Sequence, residues 1–125
     1  MCALLSFSIY GCKQKGSSTS VCVVTGIDVK ATGQNQTLHR CYTQNSNMSS
    51  VLNYLRLLDP YISVELDPDT FRSQTYEIIV TYCDGNHTVY RQIHDDYFQE
   101  NDGLWKRIDP KLGCRLQELL DQLPV

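Results

Sequence analysis

Signatures of the common enzyme classes and of nucleic-acid-binding proteins are missing from this sequence. It contains no Gly-x-Ser-x-Gly, His-Glu-x-x-His or P-loop motif, the patterns that mark many hydrolases, metalloproteases and nucleotide-binding proteins. Its eleven Lys and Arg residues are scattered and the net charge is −3, so no basic stripe marks a surface for nucleic acid or an anionic membrane. We therefore expect a protein that is not an enzyme, takes no cofactor and does not bind nucleic acid.

Long apolar runs are also missing, so the sequence predicts no membrane span. The segment Met1–Cys12 is apolar but has no basic residue, and it alternates in the manner of a strand over Ala3–Ile9 rather than resembling a signal peptide. We therefore expect an intracellular protein with reduced thiols. Sequons at Asn35, Asn47 and Asn86 keep open the alternative of a secreted protein whose leader has been removed.

The six cysteines include no Cys-x-x-Cys pair, so a structural zinc site is not expected. A cysteine nucleophile needs a histidine base within hydrogen-bonding reach. The residues available for such a pair are Cys41, Cys83, His39, His87 and His94. In the predicted hairpin Cys83 and His87 point to opposite faces, and His39 with Cys41 has no third partner. No catalytic or metal-binding residue is therefore predicted.

The stretch Gln74–Asp109 predicts an antiparallel meander of three or four strands. Tyr76–Cys83 reads YEIIVTYC and Asn86–Ile93 reads NHTVYRQI, two runs rich in β-branched and aromatic residues. The pair Asp84-Gly85 between them favours a two-residue hairpin turn, in which both residues have positive φ.

A two-residue turn would fix the register of this hairpin and therefore its two faces. It places Val80 opposite Val89 and Ile78 opposite Arg91. The more apolar face, which we expect to meet the core, then consists of Tyr76, Ile78, Val80, Tyr82, His87, Val89, Arg91 and Ile93. Arg91 does not fit an apolar face, so we predict that it pairs with an acid or lies at a binding surface.

The rest of the chain predicts shorter elements around this meander. Strands are expected over Val21–Lys30, with a bulge at Gly26, over Thr37–Thr43, and around Ile62 and Val64.

A first helix is expected between an N-cap at Ser49 or Ser50 and Pro60. Strands, helix, strands and helix in this order predict a single α+β domain over residues 1–125, with a mostly antiparallel sheet and helices on one face or end. A PH-like barrel closed by the C-terminal helix is one topology that fits.

The last predicted element is a C-terminal amphipathic helix. Asp109 is suited to cap it and Pro110 to its first position, while Gly113 costs about 1 kcal/mol relative to alanine. Its apolar stripe consists of Leu112, Leu116, Leu119, Leu120 and Leu123. Leu116, Leu119 and Leu120 also have the LxxLL spacing of helices that bind hydrophobic grooves, although periodicity favours packing on the chain's own sheet.

Three segments resemble the first half of a phox-homology (PX) domain. Tyr76–Gly85 corresponds to the hairpin of that family, Tyr90–Ile93 to its arginine motif and Asp96–Phe98 to the start of its helix. The resemblance implies a phosphoinositide-binding module in which Arg91 contacts the lipid headgroup. The second arginine and the tyrosine of the family's motif are not present in this sequence.

Cys22 and Cys83 lie on predicted strands at a separation that an immunoglobulin inter-sheet disulfide allows. No tryptophan lies between them, and two helices do not suit a sandwich. A secreted immunoglobulin-like domain therefore stays a secondary alternative.

Because the sequence shows so little chemistry, protein binding is the predicted function. We expect a non-enzymatic interaction domain with a protein partner, and self-association as a homodimer through a sheet edge or face is one version. The predicted binding residues are Arg91, Leu116, Leu119 and Leu120. The phosphoinositide-binding module is the main alternative, and only this alternative has membrane lipid as a partner.

Overall fold

The computed structural model describes residues 23–33, 36–70 and 74–123. These residues form an α+β fold, as predicted from the sequence. The strands are β1 (Val24–Thr32), β2 (Thr37–Tyr42), β3 (Ile62–Val64), β4 (Thr75–Tyr82), β5 (His87–Ile93), β6 (Tyr97–Glu100) and β7 (Trp105–Arg107). The α-helices are α1 (Asn45–Leu57), α2 (Pro110–Gly113) and α3 (Arg115–Gln122). The strand predicted over Ala3–Ile9 lies outside the described residues.

The described strands make one seven-stranded antiparallel sheet in the order β2-β1-β4-β5-β6-β7-β3. The predicted meander is present as β4 to β7, and β1 with β2 forms a separate hairpin. These two groups of strands meet where β1 pairs with β4. The order of the described strands has two ends, β2 and β3, and is not closed as a PH-like barrel would be.

Strand β1 contains the predicted bulge. Its register with β4 shifts between Val24 and Gly26, where two steps along β1 correspond to one step along β4. Such a shift kinks one strand and increases its local twist. Beyond the bulge, residues 26–32 pair with β4 without interruption, so the side chains of this part of β1 alternate regularly between the two faces.

The α-helices pack on one face of the sheet and create the core. Ile27, Val29, Ile78 and Val80 from the sheet meet Val51, Leu58, Leu116 and Leu120 from the helices, and each side chain is at most 1% exposed. Burying one large aliphatic side chain stabilises a fold by roughly 1.5–3 kcal/mol. This layer between sheet and helices is therefore the main stabilising feature of the described structure.

Helix α1 begins at Asn45, so the prediction of an N-cap at Ser49 or Ser50 is wrong. The cause is the burial of Met48, which is 5% exposed and lengthens the apolar face of the helix by one turn. The Ser50 hydroxyl does not cap, because it donates to the Ser46 carbonyl oxygen inside the helix at 3.1 Å. The predicted end of the helix before Pro60 is confirmed.

The predicted register of the β4–β5 hairpin is wrong by one residue. Thr81 pairs with His87, and the Tyr82 N–H donates to the Asn86 carbonyl oxygen at 2.9 Å, which leaves a three-residue loop. Only Gly85 in this loop has positive φ, at 88°, as expected for a turn closed by a glycine in the left-handed region. This shift of one residue places Arg91, and every second residue of β5 on either side of it, on the other face of the sheet.

The C-terminal helix begins as predicted. The Asp109 side chain accepts the Lys111 N–H at 3.0 Å, and Pro110 occupies the first turn. The helix is interrupted at Cys114, so it consists of the short α2 and the longer α3. Leu116 and Leu120 are both 0% exposed, which confirms that the leucine stripe packs on the chain's own sheet.

Gly113 is required by packing, a role that helix propensity alone did not predict. A Cβ atom at this position would lie 2.3 Å from the Asp95 carbonyl oxygen. The Gly113 carbonyl oxygen in turn accepts hydrogen bonds from Gln92 Nε2 at 3.1 Å and from Tyr54 Oη at 3.3 Å. Gln92 is 1% exposed, and its Oε1 accepts from the same Tyr54 hydroxyl. This buried network ties α1, β5 and α2 together.

Candidate binding face of the sheet

The sheet has a second face, which we call the open face, opposite the α-helices. Strand register places the side chains of Lys30, Glu77, Arg91 and Gln99 in one row across four neighbouring strands of this face. No α-helix of the described residues packs on it. Because side chains alternate along each strand, the residues of the open face are those between the core positions.

Arg91 lies on the open face, so its predicted place on the core face with Tyr76, Ile78 and Val80 is wrong. It pairs directly with Glu77, and its Nε is 3.5 Å from Glu77 Oε2. The alternative that Arg91 pairs with an acid is therefore confirmed. With its side chain 39% exposed, this ion pair contributes little to stability, because solvent screens the interaction.

The Arg91 guanidinium is also held from the side of β6. Its Nη1 donates to Gln99 Oε1 at 3.2 Å and to the Asn101 carbonyl oxygen at 3.4 Å. Nη1 also lies 3.9 Å from a carboxylate oxygen of the fully exposed Asp102. These contacts fix the orientation of the planar guanidinium, which is the group best suited to carboxylates and phosphates.

A cavity of about 530 Å³ opens on this face beside Arg91. Its floor consists of residues from β1, β4, β5, β6 and β7, and one wall is formed by Pro68 and Asp69 of a single 3-10 turn, Pro68–Thr70. Ile93 and Trp105 line its apolar part and are 2% and 8% exposed. Its volume falls within the range of known ligand pockets, roughly 300–1,000 Å³.

A second polar group on the open face joins Cys41, His39 and Asp28. The Cys41 thiol donates to Asp28 Oδ1 at 2.9 Å, and His39 Nε2 lies 3.4 Å from the same oxygen. The hydrogen bond to the Asp28 carboxylate raises the pKa of the Cys41 thiol, with smaller contributions from burial and from the charge of Asp28. A raised pKa favours the protonated thiol, which is a poorer nucleophile than the thiolate.

The other histidines are separate from this group. His87 Nδ1 lies 3.0 Å from the Thr81 hydroxyl, and His94 Nδ1 is 3.5 Å from Asp96 Oδ2 in the turn between β5 and β6. No three His, Cys, Asp or Glu side chains within the described ranges are grouped in a way that could hold a metal ion.

The predicted binding residues occupy two different layers of the structure. Arg91 lies on the open face, whereas Leu116, Leu119 and Leu120 lie on α3 in the helical layer. Leu116 and Leu120 are completely buried and Leu119 packs against the core. These leucines cannot enter the groove of a partner unless α3 leaves the sheet.

Sequence reasoning missed Lys30 and Gln99 in the same row as Arg91, and Trp105 in the same cavity. Lys30 reaches the row only through the pairing of β1 with β4, which are distant in the sequence. A turn of three residues instead of two would have placed Glu77 opposite Arg91 and revealed the correct face.

The segment Asp96–Phe98, where the phox-homology resemblance implies the start of a helix, has a different conformation. A turn there leads directly into β6, which begins at Tyr97 and pairs with β5 and β7. The described strands also belong to one sheet, unlike the two packed sheets of an immunoglobulin-like sandwich.

Comparisons of the chain with protein-family models, with curated proteins and with solved structures find no match. No helix in the ranges that the structure describes is both long enough and apolar enough to cross a membrane.

Proposed function

We propose that this chain is a non-enzymatic protein-binding domain that contacts its partner with the open face of the sheet. The observation that carries the proposal is the row Lys30, Glu77, Arg91 and Gln99 beside a cavity of about 530 Å³. Lys30, Glu77 and Arg91 alternate in charge, and the neutral Gln99 adds an amide group. Such a surface suits polar recognition, in which charge complementarity determines the choice of partner.

The burial of the C-terminal leucines supports the open face over the helix as the binding surface. Leu116 and Leu120 stabilise the fold, so a partner that took them would have to unfold the core. The raised pKa of Cys41, and the separation of His87 and His94 from it, support binding rather than catalysis.

Site-specific photo-crosslinking in the native cell tests this proposal. A photoreactive phenylalanine analogue replaces His39, which is exposed on the open face and outside the cavity. The same analogue in place of Asn53, exposed on α1, is the matched control. We expect a discrete covalent adduct with one protein from position 39 and none from position 53. Adducts from position 53 alone, or from neither position, would contradict the proposal.

Self-association through a sheet edge is a second version of this function, and it rests on a separate observation. Tyr61 and Ile62 are 64% and 52% exposed where β3 ends the described sheet. A terminal strand with exposed apolar side chains can add a strand from a second copy of the chain. Native mass spectrometry over a range of concentrations would show a dimer, and Ile62→Lys would abolish it. A monomer at every concentration would exclude this version.

We further propose that the protein is intracellular, with secretion as the alternative. Cys41 and Cys114 are free and exposed in the structure, as suits a reducing compartment. The thiol count of the protein isolated under denaturing, non-reducing conditions tests this. All six cysteines of the chain should react, whereas a lower count would favour secretion.

A further inference from the structure

The cavity on the open face combines two cationic side chains with two carboxylates. Lys30 and Arg91 lie on either side of Glu77 in one row, and Asp69 lies on the wall. The formal charges of these four side chains cancel. A polyanion such as a phosphorylated headgroup would therefore meet two carboxylates as well as two cations, whereas a ligand with a single negative charge is repelled less by the carboxylates and can still contact a cation.

The two cations have unused capacity. Within the described residues Lys30 forms no ion pair. Arg91 uses Nε toward Glu77 and Nη1 toward Gln99, Asn101 and Asp102, and Nη2 has no described partner. A guanidinium that is oriented on one side and free on the other is prepared for a carboxylate, because little rotational freedom is lost on binding.

The apolar part of the cavity lies at a defined distance from the cations. Ile93 follows Arg91 by two residues on the same face of β5, a spacing of about 7 Å along a strand. Trp105 extends this apolar part on the β7 side. The distance from Arg91 to this apolar part of the cavity is therefore roughly the size of one amino-acid residue.

We infer that the cavity binds the free C-terminal carboxylate of a peptide chain whose final side chain is apolar. Arg91 binds the carboxylate through Nη2, Lys30 adds a second positive charge to the cavity, and Trp105, the more exposed of the two apolar lining residues, contacts the final side chain. The Asp69 carboxylate on the wall can accept a backbone N–H of the peptide. This inference rests on the proposed protein-binding function and names the part of the partner that the open face recognises.

Fluorescence anisotropy with matched peptides tests the inference on the full chain. The probe is a labelled tripeptide, Ala-Ala-Leu, with a free carboxyl group, and the control is the same peptide as a C-terminal carboxamide. We expect the free acid to bind at least about tenfold more tightly than the amide. Equal binding of both forms, or no binding of the acid at about 1 mM, would overturn the inference.

Variants locate the interaction within the cavity. Lys30→Ala should weaken binding of the acid form several-fold, and Lys30→Arg should restore most of it. Lys106→Ala is the control, because Lys106 is an exposed cation of the same sheet that does not line the cavity. An equal loss with Lys106→Ala would indicate non-specific attraction of anions and overturn the inference, as would competition by inorganic phosphate at the affinity of the peptide.

The inference and the proposed function can fail separately. Position 39 lies outside the cavity. An adduct at position 39, together with equal binding of the free acid and the amide, would contradict only the inference that the cavity binds a peptide C-terminus. Binding of the free acid without any adduct at position 39 would leave the cavity as a peptide site and contradict the wider open face as the protein-binding surface.

Discussion

At the scale of single residues, two glycines decide the geometry around the candidate site. Gly85 closes the β4–β5 loop with a φ of 88°, and this loop determines which face carries Arg91. Gly113 allows α2 to approach the backbone of Asp95, and its carbonyl oxygen accepts from the buried Gln92. Each glycine acts through the absence of a side chain, but for different reasons, namely backbone conformation at Gly85 and space at Gly113.

Gly113→Ala is expected to destabilise the protein, although alanine has the higher helix propensity. Propensity alone would stabilise the helix by about 1 kcal/mol. The new Cβ would lie 2.3 Å from the Asp95 carbonyl oxygen, and relief of such overpacking costs about 1–3 kcal/mol. Chemical denaturation gives the sign of the change, with Gln122→Ala at an exposed position of α3 as control. A more stable Gly113→Ala variant would show that α2 can move away from Asp95 at little cost.

Gly85→Val is expected to lower the free energy of unfolding by more than about 1 kcal/mol, because a β-branched residue resists positive φ. Nothing lies within 4 Å of the Cβ position, so the cost comes from the backbone alone. Gly85→Asn is the matched variant, and it should cost clearly less because asparagine tolerates the left-handed region. Equal losses for valine and asparagine in thermal unfolding would contradict this explanation.

At the scale of elements, α3 holds the sheet in its described form. Leu116 and Leu120 are each 0% exposed, one turn apart on the helix. Tyr42 on β2 donates its hydroxyl proton to the Leu123 carbonyl oxygen beyond the end of α3. Helix α3 is thus connected to β2 at one end of the sheet as well as to the core at the centre of the sheet.

Leu116→Ala and Leu120→Ala should each lower the free energy of unfolding by roughly 2–5 kcal/mol, since each leaves a cavity in a closed core. Leu104→Ala is the control, because Leu104 is 69% exposed, and it should change stability by no more than about 0.5 kcal/mol. Unchanged stability of the Leu116 and Leu120 variants in denaturant titrations would mean that α3 does not stay on the sheet in solution.

The elements differ in how well the sequence predicted them. The strands of the meander, the bulge at Gly26 and the start of α2 at Pro110 all followed from local signals, since turn residues and caps act within a few positions. The start of α1 was missed because burial of Met48 outweighs a local serine cap. The sequence placed Arg91 on the wrong face, because a loop that is longer by one residue turns every side chain of β5 to the opposite face of the sheet. The difference in energy between the two loops is small.

At the scale of the whole molecule, several buried tyrosine hydroxyls link stability to alkaline pH. Burial raises the pKa of Tyr76 to about 12, with the charges of Asp95 and Asp121 adding to it. Burial also raises the pKa values of Tyr54 and Tyr90 above the ordinary value of 10.0. Above pH 10 the unfolded chain loses these protons first, so the folded state binds more protons and stability falls as pH rises.

Tyr76→Phe should therefore make the free energy of unfolding less dependent on pH between about 10 and 12, by about 1 kcal/mol per pH unit. Below pH 9 the difference between the variant and the original protein should be constant, reflecting only the lost hydrogen bond to Gln117. Urea titrations at a series of pH values measure both ranges. Parallel curves up to pH 12 would show that the Tyr76 hydroxyl does not contribute to the alkaline loss.

The pairing of β1 with β4 has a consequence for the order in which the molecule assembles. The Cα partners in this pairing, such as Ile27 and Val80 or Lys30 and Glu77, are separated by about two-fifths of the chain. By contrast, the β1–β2 hairpin and the β4–β7 meander need only short loops to close. On a ribosome the hairpin emerges first and must wait, with one edge unsatisfied, until β4 has been synthesised. We therefore expect the joining of the two halves to be the slow step of folding. The same step brings Lys30 beside Glu77 and into one row with Arg91.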